Sequence, residues 1–175
     1  MGCGKSSVGR LVAKDLGFDF VDTDALIVER AGISISEIFA TEGEAAFRRL
    51  ERETLAELET RTGQVIATGG GAIVDPENVA SLKRHALVMC LWAGAAAIHE
   101  RTKHQSHRPL LQGDDPLGTI RRLLSEREPV YKQADVIVNT ELRPQREVVL
   151  QVRLQFEESR KSVSASAASV GPSDA

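Results

Sequence analysis

MGCGKSSVGR, residues 1–10, is the stretch on which the reading of this chain turns. Gly4-Lys5-Ser6 has the form of the end of a phosphate-binding loop, G-x-x-x-x-G-K-[ST]. In such a loop, backbone N–H groups converge on phosphate oxygens at a helix N-terminus. Lys5 would then reach the β- and γ-phosphates, and the Ser6 hydroxyl would bind magnesium. The plainer alternative is a glycine-rich helix start with an exposed lysine. A loop of this kind hangs from the end of a β-strand. Both the strand and the loop's first glycine would have to lie upstream of Met1.

Outward from the loop, Val8, Leu11, Val12 and Leu16 repeat at helical spacing, and Gly17 ends the helix. Residues 18–21 form a short strand that runs into Asp22-Thr23-Asp24. Thr41 and Glu44 spell a capping box, ahead of a long helix lined by Phe47, Leu50, Thr54, Leu55 and Leu58. Residues 64–68 are β-prone and stop at Gly69-Gly70-Gly71. Asp75 as N-cap and Pro76 in the first turn open another helix. Residues 87–91 are a continuous apolar run, as suits a strand buried on both faces. A helix follows over 95–101. Residues 102–116 lack periodicity and read as a long loop that includes His104 and His107, taken as loop histidines; His85 and His99 read as surface residues. Residues 117–128 are helical, 136–138 form a strand, and 147–156 make the last helix. The small, polar tail after Arg160 is expected to be disordered.

Strands alternating with helices predict an α/β fold: a parallel sheet with helices on both faces, in three layers. Four strands are visible, and a segment before Met1 would supply a fifth. Ligands of such sheets sit at the carboxyl ends of the strands. Lys5 and Ser6, Asp22 and Asp24, and Gly69 to Gly71 all fall at such ends. Asp22 and Asp24 flank Thr23 where the strand ends, and their side chains are expected to diverge there. One could support a magnesium shell through water while the other faces an acceptor hydroxyl; a pair of solvated loop aspartates is the alternative. The glycine run permits close approach of backbone to a ligand, and a tight turn explains it as well. Arg48 and Glu51 are neighbours at i,i+3, either a positioned guanidinium or a solvated ion pair.

The 175 residues suffice for one domain with a substantial core. Only 4% are aromatic, so that core must be aliphatic. A net charge of −3 gives no broad basic face and argues against nonspecific nucleic-acid binding. Any positive charge that meets an anionic ligand must be local to a pocket. Cys3 in a loop and Cys90 in an apolar run suit a reducing compartment better than a disulfide framework. With no apolar run of membrane-spanning length and no signal peptide ahead of the loop, a cytoplasmic protein is expected.

Together these residues resemble the shikimate kinase family, over nearly everything from Met1 to about Phe156. The resemblance rests on Gly4-Lys5-Ser6-Ser7, Asp22-Thr23-Asp24, Phe47-Arg48-Arg49-Leu50-Glu51, Gly69-Gly70-Gly71, Arg108-Pro109-Leu110-Leu111 and Arg127-Glu128-Pro129-Val130-Tyr131, in that order. It implies a small nucleoside-monophosphate-kinase-like fold. It also implies transfer of the γ-phosphoryl group of ATP to the 3-hydroxyl of shikimate, on the route to chorismate and the aromatic amino acids. Residues 1–158 would be the kinase domain, with a substrate-binding region at about 24–60 and a lid at about 102–116, and 159–175 would be the disordered tail. The resemblance assigns the loop Gly2, Cys3, Gly4, Lys5, Ser6 and Ser7 to the nucleotide, with Ser6 as magnesium ligand and Asp22 supporting that shell through water. Asp24 would engage shikimate hydroxyls and accept the proton of the attacking one. Arg48 and Arg127 would bind the shikimate carboxylate, and the backbone at Gly69, Gly70 and Gly71 would contact a hydroxyl. Arg108 would reach the phosphates from the lid. Arg101 and the stretch near Pro144, Arg143 included, would flank adenine. ATP and Mg2+ are the implied cofactors and a monomer is expected.

In the family a central strand precedes the loop. The expectation is therefore a start placed too late in the gene or a fragment, poor ATP binding and low stability. A gluconate-kinase-like enzyme is one alternative. It would share the phosphate loop without needing two arginines for a carboxylate. A nucleotide-binding module that has lost catalysis is the other.

Overall fold

The computed structural model describes residues 2–103 and 115–169. Arg108, His104, His107 and nearly all of the expected lid lie outside the described residues, as do residues 170–175. The first helix, α1 (Lys5–Leu16), starts after Gly4 at φ 83° and stops at Gly17 at φ 66°. Both angles are left-handed values that glycine adopts without steric penalty. Val8 and Val12 turn inward, at the spacing that predicts the buried face.

Strand β1 (Asp19–Asp22) leads into α2 (Thr23–Ala31), α3 (Ile35–Thr41) and α4 (Gly43–Leu58). Strand β2 (Gln64–Ala67), a single 3-10 turn at Ala72–Val74 and α5 (Pro76–His85) follow. Then come β3 (Met89–Trp92), α6 (Ala95–Thr102), α7 (Pro116–Tyr131), β4 (Val136–Asn139) and α8 (Gln145–Ser169). Asp75 caps α5 by accepting from the Glu77 N–H, with Pro76 in the first turn, as the sequence indicates.

The four expected strands form and pair in parallel, but as two separate sheets among the described residues. β1 pairs with β2, from Asp19–Gln64 to Asp22–Ala67. β3 pairs with β4, from Met89–Val136 to Trp92–Asn139. One aliphatic cluster bridges them: Val8 and Val12 of α1, Val138 of β4 and Val148 and Val149 of α8, with Val65 of β2 and Leu91 of β3 packed against it. Each such side chain contributes about 1.5–3 kcal/mol when fully buried. A second cluster, Ile27, Ile38 and Phe47, fixes α2 and α3 on α4.

Several expectations are corrected. The run at 87–91 is not buried on both faces, since every residue of β3 is only half-buried. The capping box forms at Ser34 and Glu37, where each side chain serves the other's backbone N–H. Thr41 instead turns its hydroxyl back to the Glu37 carbonyl. Gly43, at φ 82°, lets α4 start directly after α3. α7 continues through Pro129 to Tyr131, which sets Arg127 and Tyr131 one turn apart on one face. α8 runs on to Ser169. Residues 159–169, expected in a disordered tail, are thus helical. Their alanines favour helix, and no glycine or proline interrupts before Gly171-Pro172. No helix among the described residues is long and apolar enough to cross a membrane.

Candidate active site

The site is assembled on three chain turns. At the first, no side chain caps the N-terminus of α1. Its leading N–H groups and Lys5, the first helical residue, together make an anion-attracting end. Gly2 fits closely: a methyl group there would lie 2.9 Å from the Thr102 methyl. Arg101 ties this loop to the end of β4. It donates to the Thr140 hydroxyl at 3.0 Å and the Thr140 carbonyl at 2.6 Å, and it approaches the Gly2 carbonyl at 3.5 Å. Arg143 is exposed, and its described hydrogen bond goes to Gln151 on α8, not to the loop.

At the second turn the Ser6 hydroxyl donates to Asp22 Oδ2 at 2.8 Å. The sequence separates these residues by sixteen positions; the fold makes them one hydroxyl–carboxylate pair beside the phosphate end. Among the described residues no cluster of three His, Cys, Asp or Glu side chains could hold a metal. The pair nonetheless suits magnesium, which takes one or two protein oxygens and completes its shell with phosphate and water. Asp22 Oδ1 also accepts from the Asp24 N–H, which caps the start of α2.

The third turn is the glycine run after β2. A methyl group on Gly69 would lie 2.7 Å from Asp24 Oδ1 and 3.3 Å from Glu51 Oε1. On Gly71 it would lie 2.7 Å from Arg48 Nη1. The Gly70 carbonyl accepts from Arg127 Nη1 at 3.1 Å, with the Tyr131 hydroxyl at 3.5 Å. Asp24, Arg48 and Arg127, from three different helices, therefore meet on three consecutive glycines. The glycine run is a close-approach surface and not merely a turn. Thr23, to which the sequence reading gave no role, is fully buried and accepts the Gly69 N–H at 3.3 Å, locking the run to the start of α2. Tyr131 is a second such residue.

Glu51 is 1% exposed, so its pairing with Arg48 at 2.8 Å is not a solvated ion pair. Arg48 is held from its other side by Glu44 at 3.0 Å. Glu51 occupies a core position in the stripe of Phe47, Thr54, Leu55 and Leu58, four residues after Phe47. That spacing was the available signal for its burial. Burial pushes its carboxyl above the ordinary 4.5, and the adjacent Arg48 pulls it partly back. Its Oε1 has no hydrogen-bond partner among the described residues.

The sign of the pH effect follows. A raised folded-state value means the folded chain holds the proton more tightly, so Glu51's contribution declines as pH rises above about 4.5. In Glu51→Gln this decline is absent. The melting temperature of the variant, relative to the parent, should rise as pH passes 4.5 and level off once pH exceeds the raised folded-state value. Parallel slopes in a melt series against pH would show Glu51 to be unperturbed.

Gly71→Ala tests the packing of Arg48. Gly71 has φ −98°, so alanine adds no backbone strain, only a methyl group against the guanidinium. The KM for the anionic acceptor should rise by up to about tenfold, equivalent to about 1.4 kcal/mol, with kcat little changed. A variant with unaltered KM would separate Arg48 from acceptor binding.

A family model described as shikimate kinase matches residues 1–157. The shikimate kinase of Thermodesulfovibrio yellowstonii is 45% identical over 157 residues, which are 90% of this chain and 91% of that protein. That of Halorhodospira halophila is 48% identical over 141 residues, 80% of each. Among solved structures, shikimate kinase from Acinetobacter baumannii in complex with shikimate is similar, with a TM-score of 0.85 at 38% identity over 92% of this chain and 90% of that one. Shikimate kinase from Aquifex aeolicus gives a TM-score of 0.79 at 36% identity, over 91% and 94%.

Proposed function

The chain belongs to the shikimate kinase family, and we infer that its chemistry runs through the cluster on the glycine run. It is an ATP-dependent phosphotransferase that moves the γ-phosphoryl group to the 3-hydroxyl of shikimate. The observation that carries the assignment of residues is the meeting of one carboxylate, Asp24, with two guanidinium groups, Arg48 and Arg127, on Gly69–Gly71.

Shikimate is a carboxylate at one end and a set of hydroxyls at the other. Arg48 and Arg127 hold the carboxylate by charge-assisted hydrogen bonds. Asp24 orients the attacking hydroxyl and accepts its proton as the new P–O bond forms. The phosphates lie over the N-terminus of α1, with Lys5 neutralising charge that builds on them in the transition state. Ser6 would hold magnesium, with Asp22 reaching it through water. The bound ion supplies further neutralisation of the β- and γ-phosphates. Arg101 positions the loop against the end of β4 and flanks the adenine. The roles of Arg108 and of a lid at 102–116 rest on the resemblance alone. A lid there would exclude water as a competing acceptor. Arg143 belongs to this reading only as an exposed edge of the adenine region. The reading puts the enzyme in the cytoplasm, where its two free cysteines would stay reduced, and takes it as a monomer.

A coupled ADP-release assay with shikimate against gluconate tests it. Turnover should follow shikimate. Preference for gluconate would assign the two arginines to something other than a carboxylate.

A further inference from the structure

Thr140 follows directly on β4 and is buried, while the next three residues, Glu141, Leu142 and Arg143, are exposed. Its polar groups go to two partners. The Thr140 N–H donates to the Trp92 carbonyl, at the end of β3, at 2.8 Å, and the Thr140 hydroxyl donates to the same carbonyl at 3.1 Å. The hydroxyl oxygen then accepts from Arg101 Nη1 at 3.0 Å, and the Thr140 carbonyl accepts from Arg101 Nη2 at 2.6 Å. A hydroxyl rotates to suit its partners. Here the Trp92 carbonyl takes the proton, so a lone pair is turned toward the guanidinium.

Arg101 lies in the last turn of α6. A long side chain of this kind samples many rotamers unless its head group is held. Two acceptors on one residue fix both the position and the plane of the guanidinium, because its N–H groups form a rigid planar fork. The neighbouring residue fixes the other end of the same helix. Glu141 Oε2 accepts from the Gly94 N–H at the start of α6 at 3.1 Å, and a methyl group on Gly94 would lie 3.0 Å from that oxygen. Thr140 and Glu141 thus hold α6 from both ends, on a part of the chain that carries none of Asp24, Arg48 and Arg127.

We propose that Thr140 is a positioning residue for the nucleotide: its hydroxyl, aimed by the Trp92 carbonyl, sets the plane of the Arg101 guanidinium against which the base lies. It acts through Arg101. The inference rests on the reading that Arg101 flanks the adenine and adds the group that holds Arg101 there. Its effect falls on ATP and not on shikimate.

The test replaces the hydroxyl and then restores it. Thr140→Val puts a methyl group in its place at nearly unchanged shape and leaves both backbone bonds of residue 140 available; Thr140→Ser returns the hydroxyl. ATP affinity is read by calorimetric titration with magnesium present, alongside steady-state KM and kcat. In Thr140→Val the Kd and KM for ATP should rise by about tenfold, the scale of one hydrogen bond to a charged group. The kcat at saturating ATP and the KM for shikimate should stay within about twofold of the parent. Thr140→Ser should recover most of the loss. A further arm, Arg101→Met, removes the guanidinium and should by itself weaken ATP binding; adding Thr140→Val to it should cost nothing more. Unchanged ATP affinity in Arg101→Met would remove Arg101 from the base, and the proposal with it. Weakened binding in Arg101→Met with parent-like binding in Thr140→Val would leave Arg101 in place and overturn the proposal alone. Additive losses in the double variant would overturn it too, since Thr140 would then act independently of Arg101. Parallel changes in both KM values and in kcat would make Thr140 only a structural residue at the strand end.

Discussion

Asp24→Asn is expected to lower turnover by about 10²-fold or more, the scale of a positioned acid or base, with ATP binding little changed. Asparagine keeps the size of the side chain, which matters because the carboxylate lies against Gly69 with no room for an added methyl group. It cannot take the proton of the attacking hydroxyl. The start of α2 is preserved, because the bond from the residue 24 backbone N–H to Asp22 does not involve the substituted side chain. Glu51 is a poor substitute base: it is buried and tied to Arg48. Steady-state rates, with melting shifts on addition of ATP and magnesium, provide the measurement. Near-normal turnover would remove Asp24 from the catalytic role.

Arg127→Ala should weaken shikimate binding by about 1.5–3 kcal/mol, the scale of a hydrogen bond to a charged group, or about ten- to 150-fold in Kd. Arg127 reaches the site from α7, and its described anchor is the Gly70 carbonyl. Arg127→Lys should recover only part of the loss, because an ammonium group is a point charge and cannot pair with a carboxylate through two parallel bonds. Calorimetric titration with shikimate distinguishes the three proteins. Identical affinities would place the carboxylate elsewhere.

Much of the site was legible because its residues break local patterns. Lysine after a glycine-rich start, aspartates at a strand end and three glycines in a row have no packing purpose that a plainer sequence would not serve better. Asp75-Pro76 likewise announced its helix by cap chemistry alone. What escaped depended on partners distant in sequence. α2 and α3 are nine and seven residues long, too short for periodicity to separate them from loop. The Ser34–Glu37 capping box and the Thr41–Glu44 pair have the same spelling, and only packing of Ile38 against Ile27 selects the first. Thr23 sits between two aspartates and looks solvated, yet it is completely buried.

The two arginines of the clamp stand on opposite sides of the division between the two sheets. Arg48 belongs with the β1–β2 half, and Arg127 with the helix that leads into β4. A carboxylate gripped by both is a cross-brace between halves that share no ladder bond among the described residues. Under the proposed assignment of both arginines to the carboxylate, part of the affinity for shikimate would be spent on fixing the separation of the sheets. By thermodynamic reciprocity, whatever else fixes that separation must tighten shikimate binding by the same factor by which shikimate favours it. On that assignment acceptor affinity would act as a gauge of sheet spacing, and changes in spacing should register in KM before they register in kcat.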